Sequence, residues 1–167
     1  KLLLVRFDHF VTWFAPMGVK LLSESKGASI TDEDVARIDE ILSFWFKEHE
    51  LSAPQIDRRM DIWFGEDPVF DEAIKAEFQD DMERASQGQL DHWAEEPRGR
   101  LALILLIDQF RRKVHRSTDK AFSHDTMALK LCVEGAMAKT DRGLTPIQKV
   151  FFYLPLQHSE SAQVLAR

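Results

Sequence analysis

The sequence predicts an all-α fold built from antiparallel helical pairs, and three observations support this. Apolar residues recur at helical spacing through most of the 167 residues, and no stretch alternates apolar and polar residues long enough to predict a strand. Helix start signals such as Thr31-Asp32-Glu33-Asp34 and Asp67-Pro68 stand before these segments. Short, glycine- or proline-containing connections then favour helices that pack as antiparallel neighbours.

Residues 1–28 are predicted to form a helical appendage and a linker, with the main domain over 29–167. Leu3, Phe7, Phe10, Val11 and Phe14 share one helical face, and the small, polar stretch from Ser23 to Ser29 resembles a flexible connection. This face is too apolar for a solvated helix, so we expect it to pack on the main domain or on a second copy of the chain. Because the chain begins with Lys1, we also expect further residues before it.

The main domain contains six predicted helices. They begin near Thr31, Pro54, Pro68, Pro97, Thr118 and Pro146. The run from Leu101 to Ile107 is apolar on all sides and rich in Leu and Ala, which predicts a central buried helix. The helix from Thr118 is expected to reach about Ala138, and Pro155 is expected to kink or end the last helix.

Composition excludes several classes of function. A net charge of −6 argues against general nucleic-acid binding, and no apolar segment is long enough to span a membrane. A single cysteine, Cys132, cannot form an internal disulfide and is expected to be a small core residue, so the expected compartment is the cytoplasm. No glycine-rich loop accompanies the basic residues, and no cofactor is predicted.

Two carboxylates stand where apolar residues are expected. Asp125 interrupts the apolar stripe of the helix from Thr118, and Asp108 ends the central apolar run. A carboxylate that faces a core must be paired or neutralised, and Arg111, Arg112 and Arg116 are the obvious partners. The cluster is either a structural ion-pair network or a polar pocket for an anionic or polar ligand.

The remaining polar groups allow weaker hypotheses. The basic residues from Arg98 to Arg116 could bind phosphate or could simply face the negative end of a helix dipole. His115, His124 and His158 could converge with Asp108 or Asp125 around a metal, although the sequence shows no metal-binding motif. Ser159 could cap a helix, or His158 and Glu160 could bind a ligand after the break at Pro155.

Four ordered blocks resemble the bacterial domain-of-unknown-function family 924. They are Trp63–Gly65 with Asp67–Asp71 and Gly88–Trp93, then Pro97–Phe110, Ala121-Phe122 with Asp125, and Phe151–Glu160. The resemblance covers about Ile41 to Glu160, and it implies an all-α fold similar to tetratricopeptide repeats with no established activity. Lys113 stands where this family usually has Asn, and the family's closing motif is absent.

We therefore expect a binding or scaffold module whose partner is a protein, a peptide or a small polar ligand, with a homo-oligomer possible. The candidate ligand-binding residues are Asp108, Gln109, Arg111, Arg116, Asp125, Tyr153, His158 and Glu160. The alternative is a small-molecule enzyme, a hydrolase or a metal-assisted one, with His158 as general base and Asp108 or Glu160 orienting it. A deep pocket lined by these residues would favour the enzyme, and an open groove with exposed aromatic residues would favour the binding module. We expect His158 and Glu160 to lie at the mouth of a polar pocket whose floor includes Asp108.

Overall fold

The structure is a computed structural model that describes residues 29–48 and 51–165. Within these residues it is all-α, with no strand, as the sequence predicts. The predicted appendage and linker over residues 1–28 lie outside the described residues, and so does the expected packing of their apolar face. The tetratricopeptide-like arrangement of the helical pairs stays a prediction.

The helices follow one another with short connections. Their bounds are α1 Asp32–Phe46, α2 Ala53–Phe64, α3 Pro68–Ser86, α4 Pro97–Ile104, α5 Arg111–Val114, α6 Asp125–Met137 and α7 Pro146–Leu165. Three short 3-10 turns lie between them, at Asp91–Glu95, Asp119–Ala121 and Thr140–Gly143, and a π-helical segment, Leu105–Phe110, joins α4 to α5. None of these described helices combines the length and the apolar character that a bilayer crossing requires.

Side-chain caps begin the helices where the sequence predicts them. Thr31 accepts a hydrogen bond from the Asp34 backbone N–H, and the Asp34 carboxylate accepts one from the Thr31 backbone N–H, which completes a capping box. Asp67 Oδ1 accepts from the backbone N–H groups of Val69 and Phe70, ahead of Pro68 at the first helical position.

The predicted central buried helix is confirmed. The segments α4, Leu105–Phe110 and α5 follow one another without a break, and their residues from Gly99 to Arg111 are all buried. The segment α4 contacts α1, α6 and α7, whereas Leu105–Phe110 contacts α3, α6 and α7. Polar side chains on this helix therefore meet several neighbouring elements at once.

Aromatic rings fill the space around the central helix. The ring of Trp45 lies 5.5 Å from those of Phe110 and Phe151, and the rings of Phe78 and Phe110 are 5.3 Å apart, centroid to centroid. Such pairs contribute about 0.5–1.5 kcal/mol each beyond the burial of their area. They fix the π-helical segment, which carries Phe110, against α1, α3 and α7.

The helix predicted from Thr118 to about Ala138 begins later than expected. Ser117 has a positive φ of 59°, a short 3-10 turn follows, and α6 starts at Asp125. Phe122 therefore precedes the helix and is 58% exposed instead of packing in an apolar stripe. The prediction was wrong because residues 119–121 form a 3-10 turn and residues 122–124 a further turn, which apolar spacing alone does not distinguish from the start of an α-helix.

Pro155 does not end its helix. The helix α7 runs through Pro155 to Leu165, and Pro155 is buried. Phe151, Phe152 and Leu154 are buried on its preceding turn, and this packing outweighs the hydrogen bond that the proline cannot donate. Ser159 consequently lies inside the helix, so its predicted role as a helix cap was also wrong.

Candidate functional site

Asp108 is the buried centre of the candidate site. It lies in the π-helical segment of the central helix, and only 1% of it is exposed. Its Oδ2 accepts a hydrogen bond of 2.6 Å from Gln109 Nε2, and its Oδ1 accepts one of 2.8 Å from Arg112 Nε. Single π-helical turns within α-helices frequently mark functional sites, because they turn side chains out of the regular register.

His158 reaches Asp108 from the helix α7. Its Nδ1 lies 2.9 Å from Asp108 Oδ1, and about a quarter (26%) of its side chain is exposed. The predicted proximity is therefore confirmed, although the predicted cause was wrong: His158 projects from an unbroken helix and not from a chain released at Pro155. Because an ionised carboxylate only accepts, His158 Nδ1 is the donor and carries the hydrogen.

Arg112 joins the two acidic residues. Its Nε donates to Asp108, its Nη2 donates to Asp125 Oδ1 at 2.7 Å, and its guanidinium lies over the Phe122 ring at 5.0 Å. An arginine of the 111–116 segment thus pairs with Asp125, as expected. Asp125 is not buried, however: its side chain is 28% exposed, because it lies in the first turn of α6 and not in the middle of an apolar stripe.

The charges around Asp108 favour its ionised form. Burial alone would raise the pKa of this carboxyl, but the hydrogen bond and charge of His158, together with those of Arg112, hold the pKa below its usual value. Asp108 is therefore a fixed negative charge at neutral pH. It can orient the imidazole and stabilise its protonated form.

The other predicted site residues bond groups outside this cluster, or their side chains are not described by the structure. Arg116 pairs with Asp71 and donates to the Gly65 carbonyl, and Arg111 contacts Ser123. Tyr153 hydrogen-bonds Asp141, and burial together with that bond raises its pKa. The side chain of Glu160 lies outside the described part of the structure. The cluster thus consists of Asp108, Gln109, Arg112, Asp125 and His158.

Lys113 is a residue whose role the sequence did not reveal. Its Nζ donates to the backbone carbonyls of Ile62 and Gly65, at 2.6 and 3.0 Å, and so binds the carboxyl end of α2. The only sequence signal was the departure from the family pattern. It marked position 113 as unusual but did not indicate which groups Lys113 would bind.

The hypothesis of a metal at the histidines is wrong for the described residues. No group of three or more His, Cys, Asp or Glu side chains in that part of the chain is placed to hold a metal ion. His115 lines a different cleft, and His124 bonds Ser123. Cys132 is fully buried, and burial raises the pKa of its thiol to about 12, as fits the predicted core residue.

Two clefts on the described surface lie away from His158. One is an open hollow along α3, lined by acidic and polar residues that include Glu72, Glu77 and Asp80. The other, of about 300 Å³, lies between α3 and the segment from Arg111 to Lys120. His158 itself therefore lies in a polar patch at the surface and not at the mouth of either cleft.

The fold and the cluster define an all-α domain with a buried carboxylate that orients a surface histidine. Residues 41–167 match the family described as "Bacterial protein of unknown function (DUF924)", and the chain belongs to this family. A search of the curated proteins finds no match. The chain is also similar to a solved structure of a protein of unknown function from Agrobacterium tumefaciens, with 31% identity and a TM-score of 0.65. The match covers 74% of this chain and 65% of that one.

Proposed function

We propose that this domain is a binding module, and that it takes a small polar ligand at the surface formed by His158, Arg112 and Asp125. The observation that carries the proposal is the 2.9 Å bond between His158 Nδ1 and Asp108 Oδ1. It fixes the ring and, when the imidazole is neutral, also its tautomer, so that the other ring nitrogen, Nε2, is then a hydrogen-bond acceptor. No described residue donates to Nε2.

The chemistry of this surface selects the kind of ligand. The acceptors that it offers are His158 Nε2 and the Asp125 carboxylate, which uses only Oδ1 to bind Arg112. A ligand that fits them carries O–H or N–H donors, as a polyol or an amine does. The proposed compartment is the cytoplasm, in keeping with a lone, buried cysteine.

A ligand screen by thermal unfolding tests this proposal. The probes are monosaccharides, inositol, amino acids and linear polyamines, each added to the full chain at neutral pH. At least one probe should raise the midpoint of the wild-type protein and should not raise that of His158→Ala, because bound ligand stabilises only the state that binds it.

The matched control is His92→Ala. His92 also pairs with a carboxylate, since its Nε2 lies 3.1 Å from Asp34 Oδ2, but it is no part of the His158 surface. This variant should keep the response to the probe. A response that survives in His158→Ala, or that both variants lose equally, would contradict the proposed site.

The same bond favours a second candidate, an enzyme in which His158 is a general base. Asp108 would orient the ring and stabilise the imidazolium that forms when His158 takes a proton from water or from a substrate hydroxyl. Hydrolysis of 4-nitrophenyl acetate and 4-nitrophenyl phosphate tests it. A rate above the buffer rate that His158→Ala loses and His92→Ala keeps would support catalysis, and equal rates for all three proteins would exclude it for these substrates.

A further inference from the structure

Arg111 differs from its two neighbouring arginines, because it is buried and forms no ion pair with a carboxylate in the described part of the chain. Arg112 and Arg116 both form ion pairs with aspartates. Arg111 is only 9% exposed, yet among the described residues its Nε has no hydrogen-bond partner, and its Nη2 makes one long contact of 3.3 Å to Ser123 Oγ. A cation withdrawn from water without such a partner costs free energy, which a bound anion would offset.

Arg111 is one of the residues that line the cleft of about 300 Å³ beside α3. The other lining residues are Lys75, Gln79, Met82, Glu83, Val114, His115 and Lys120. Three permanent cations therefore face one carboxylate, that of Glu83. The Glu83 carboxylate already accepts a hydrogen bond from Gln87 Nε2, and it acts on Arg111 only through space.

Burial and the cations that line this cleft lower the pKa values of two histidines. Burial and the charges of Arg111, Lys120 and Lys75 lower the pKa of His115. Burial and Arg111 likewise lower the pKa of His124, whose Nδ1 lies 2.7 Å from Ser123 Oγ. Both imidazoles therefore remain neutral at neutral pH, and they can donate N–H groups without adding further repulsion to the cleft.

We propose that this cleft binds the phosphate group of a small phosphorylated metabolite. The cleft is lined by Arg111, Lys75, Lys120 and His115, whose several donors suit the many oxygens of a phosphate better than a carboxylate. The volume is at the lower end of the range for small-molecule sites, so it admits a phosphate with a short carbon skeleton. Met82 and Val114 provide an apolar wall for that skeleton. This site is additional to the surface at His158.

Calorimetric titration of the full chain with inorganic phosphate and with glycerol 3-phosphate tests the proposal, with chloride and acetate at matched ionic strength as comparison anions. Phosphate should bind, glycerol 3-phosphate should bind more tightly, and the comparison anions should not compete. The exposed pair Lys75→Ala/Lys120→Ala should weaken phosphate binding by about tenfold or more, as should Arg111→Gln if it folds.

The matched control is Arg58→Ala/Arg142→Ala, which removes the same charge from exposed positions that do not line the cleft. It should leave phosphate binding unchanged. His158→Ala should also leave phosphate binding unchanged. A failed test of the phosphate cleft is therefore distinct from a failed test of the ligand surface at His158. In parallel, phosphate should raise the pKa values of His115 and His124, followed by NMR, because a bound anion stabilises the imidazolium.

Several results would overturn the proposal. One is that phosphate and acetate give equal heats. Another is that the two double variants weaken phosphate binding equally. A third is that phosphate leaves the pKa values of His115 and His124 the same as in chloride. A phosphoserine peptide that binds more tightly than glycerol 3-phosphate would assign the cleft to a protein partner and so contradict the small-molecule assignment.

Discussion

His158 Nδ1 lies 2.9 Å from Asp108 Oδ1, across 50 positions of sequence. The bond joins α7 to the π-helical segment of the central helix. Asp108 is buried and is also held by Gln109 and Arg112, whereas His158 reaches the surface. A fixed internal charge thus orients a side chain that solvent and ligands can approach.

Replacement of Arg112 by Met should destabilise the domain by about 3 kcal/mol. The substitution keeps the apolar stem beside Phe122 but removes the cation from the buried carboxylate of Asp108. The free energy of unfolding from urea titrations measures the loss. A loss below about 1 kcal/mol, which is usual for exposed pairs, would mean that Asp108 does not depend on Arg112.

The companion variant Asp125→Ala should cost much less, about 1 kcal/mol or below. Its side chain is partly exposed, and Arg112 retains Asp108 as a partner when Asp125 is removed. A sequence-based expectation of full burial would instead imply a loss of about 3–5 kcal/mol. Urea titration of the two variants side by side separates these outcomes.

Acid should remove the stabilisation that Asp108 contributes. Its pKa is lower in the folded chain than the ordinary 3.8, so the folded state favours the ionised form. This contribution is fully present above about pH 4 and is lost as the pH falls through the lowered value. The difference in unfolding free energy between wild type and Asp108→Asn should therefore narrow below about pH 4. A difference in unfolding free energy that stays constant between neutral and acid pH would contradict the lowered pKa of Asp108.

Gly99→Ala should destabilise the domain by about 1–3 kcal/mol or more. A Cβ at position 99 would lie 2.3 Å from the backbone oxygen of Trp93, and a backbone group cannot move aside cheaply. Gly143→Ala is the control, because a Cβ there meets only the Pro97 ring, at 3.2 Å. Thermal midpoints should separate the two variants, and equal midpoints would show that α4 does not approach the Asp91–Glu95 turn this closely.

Cys132 should react with a thiol reagent only when the domain unfolds. It is fully buried, burial raises its pKa to about 12, and it is the single cysteine of the chain. The rate of reaction with 5,5′-dithiobis(2-nitrobenzoic acid) at mildly alkaline pH should rise with urea along the unfolding curve. Rapid modification of the folded protein would contradict the burial of this residue.

Local signals predicted much of this fold. The caps at Thr31 and Asp67, and the long apolar run after Pro97, are properties of short sequence windows, and the structure confirms them. The blocks shared with the family brought Asp108 and His158 into one hypothesis. Their contact could be predicted from this resemblance, although the predicted break of the helix at Pro155 was wrong.

The remaining features depend on packing in three dimensions. The spacing of apolar residues does not reveal the turns over residues 119–124, after which α6 begins at Asp125. Nor does it show which of three neighbouring arginines meets which carboxylate, since their directions depend on the π-helical turn before them. Arg111, Arg116 and Tyr153 lie near the site in sequence, but they bond Ser123, Asp71 and Asp141 instead.

Asp108 holds His158 by its Nδ1, and no described residue donates to the Nε2 of this partly exposed ring. The ¹⁵N chemical shifts of the His158 ring, measured where the ring is neutral, test this most directly. The account predicts hydrogen on Nδ1 and none on Nε2, and loss of that preference in Asp108→Ala. Hydrogen on Nε2 in the wild-type protein, or an unchanged tautomer in the variant, would contradict it.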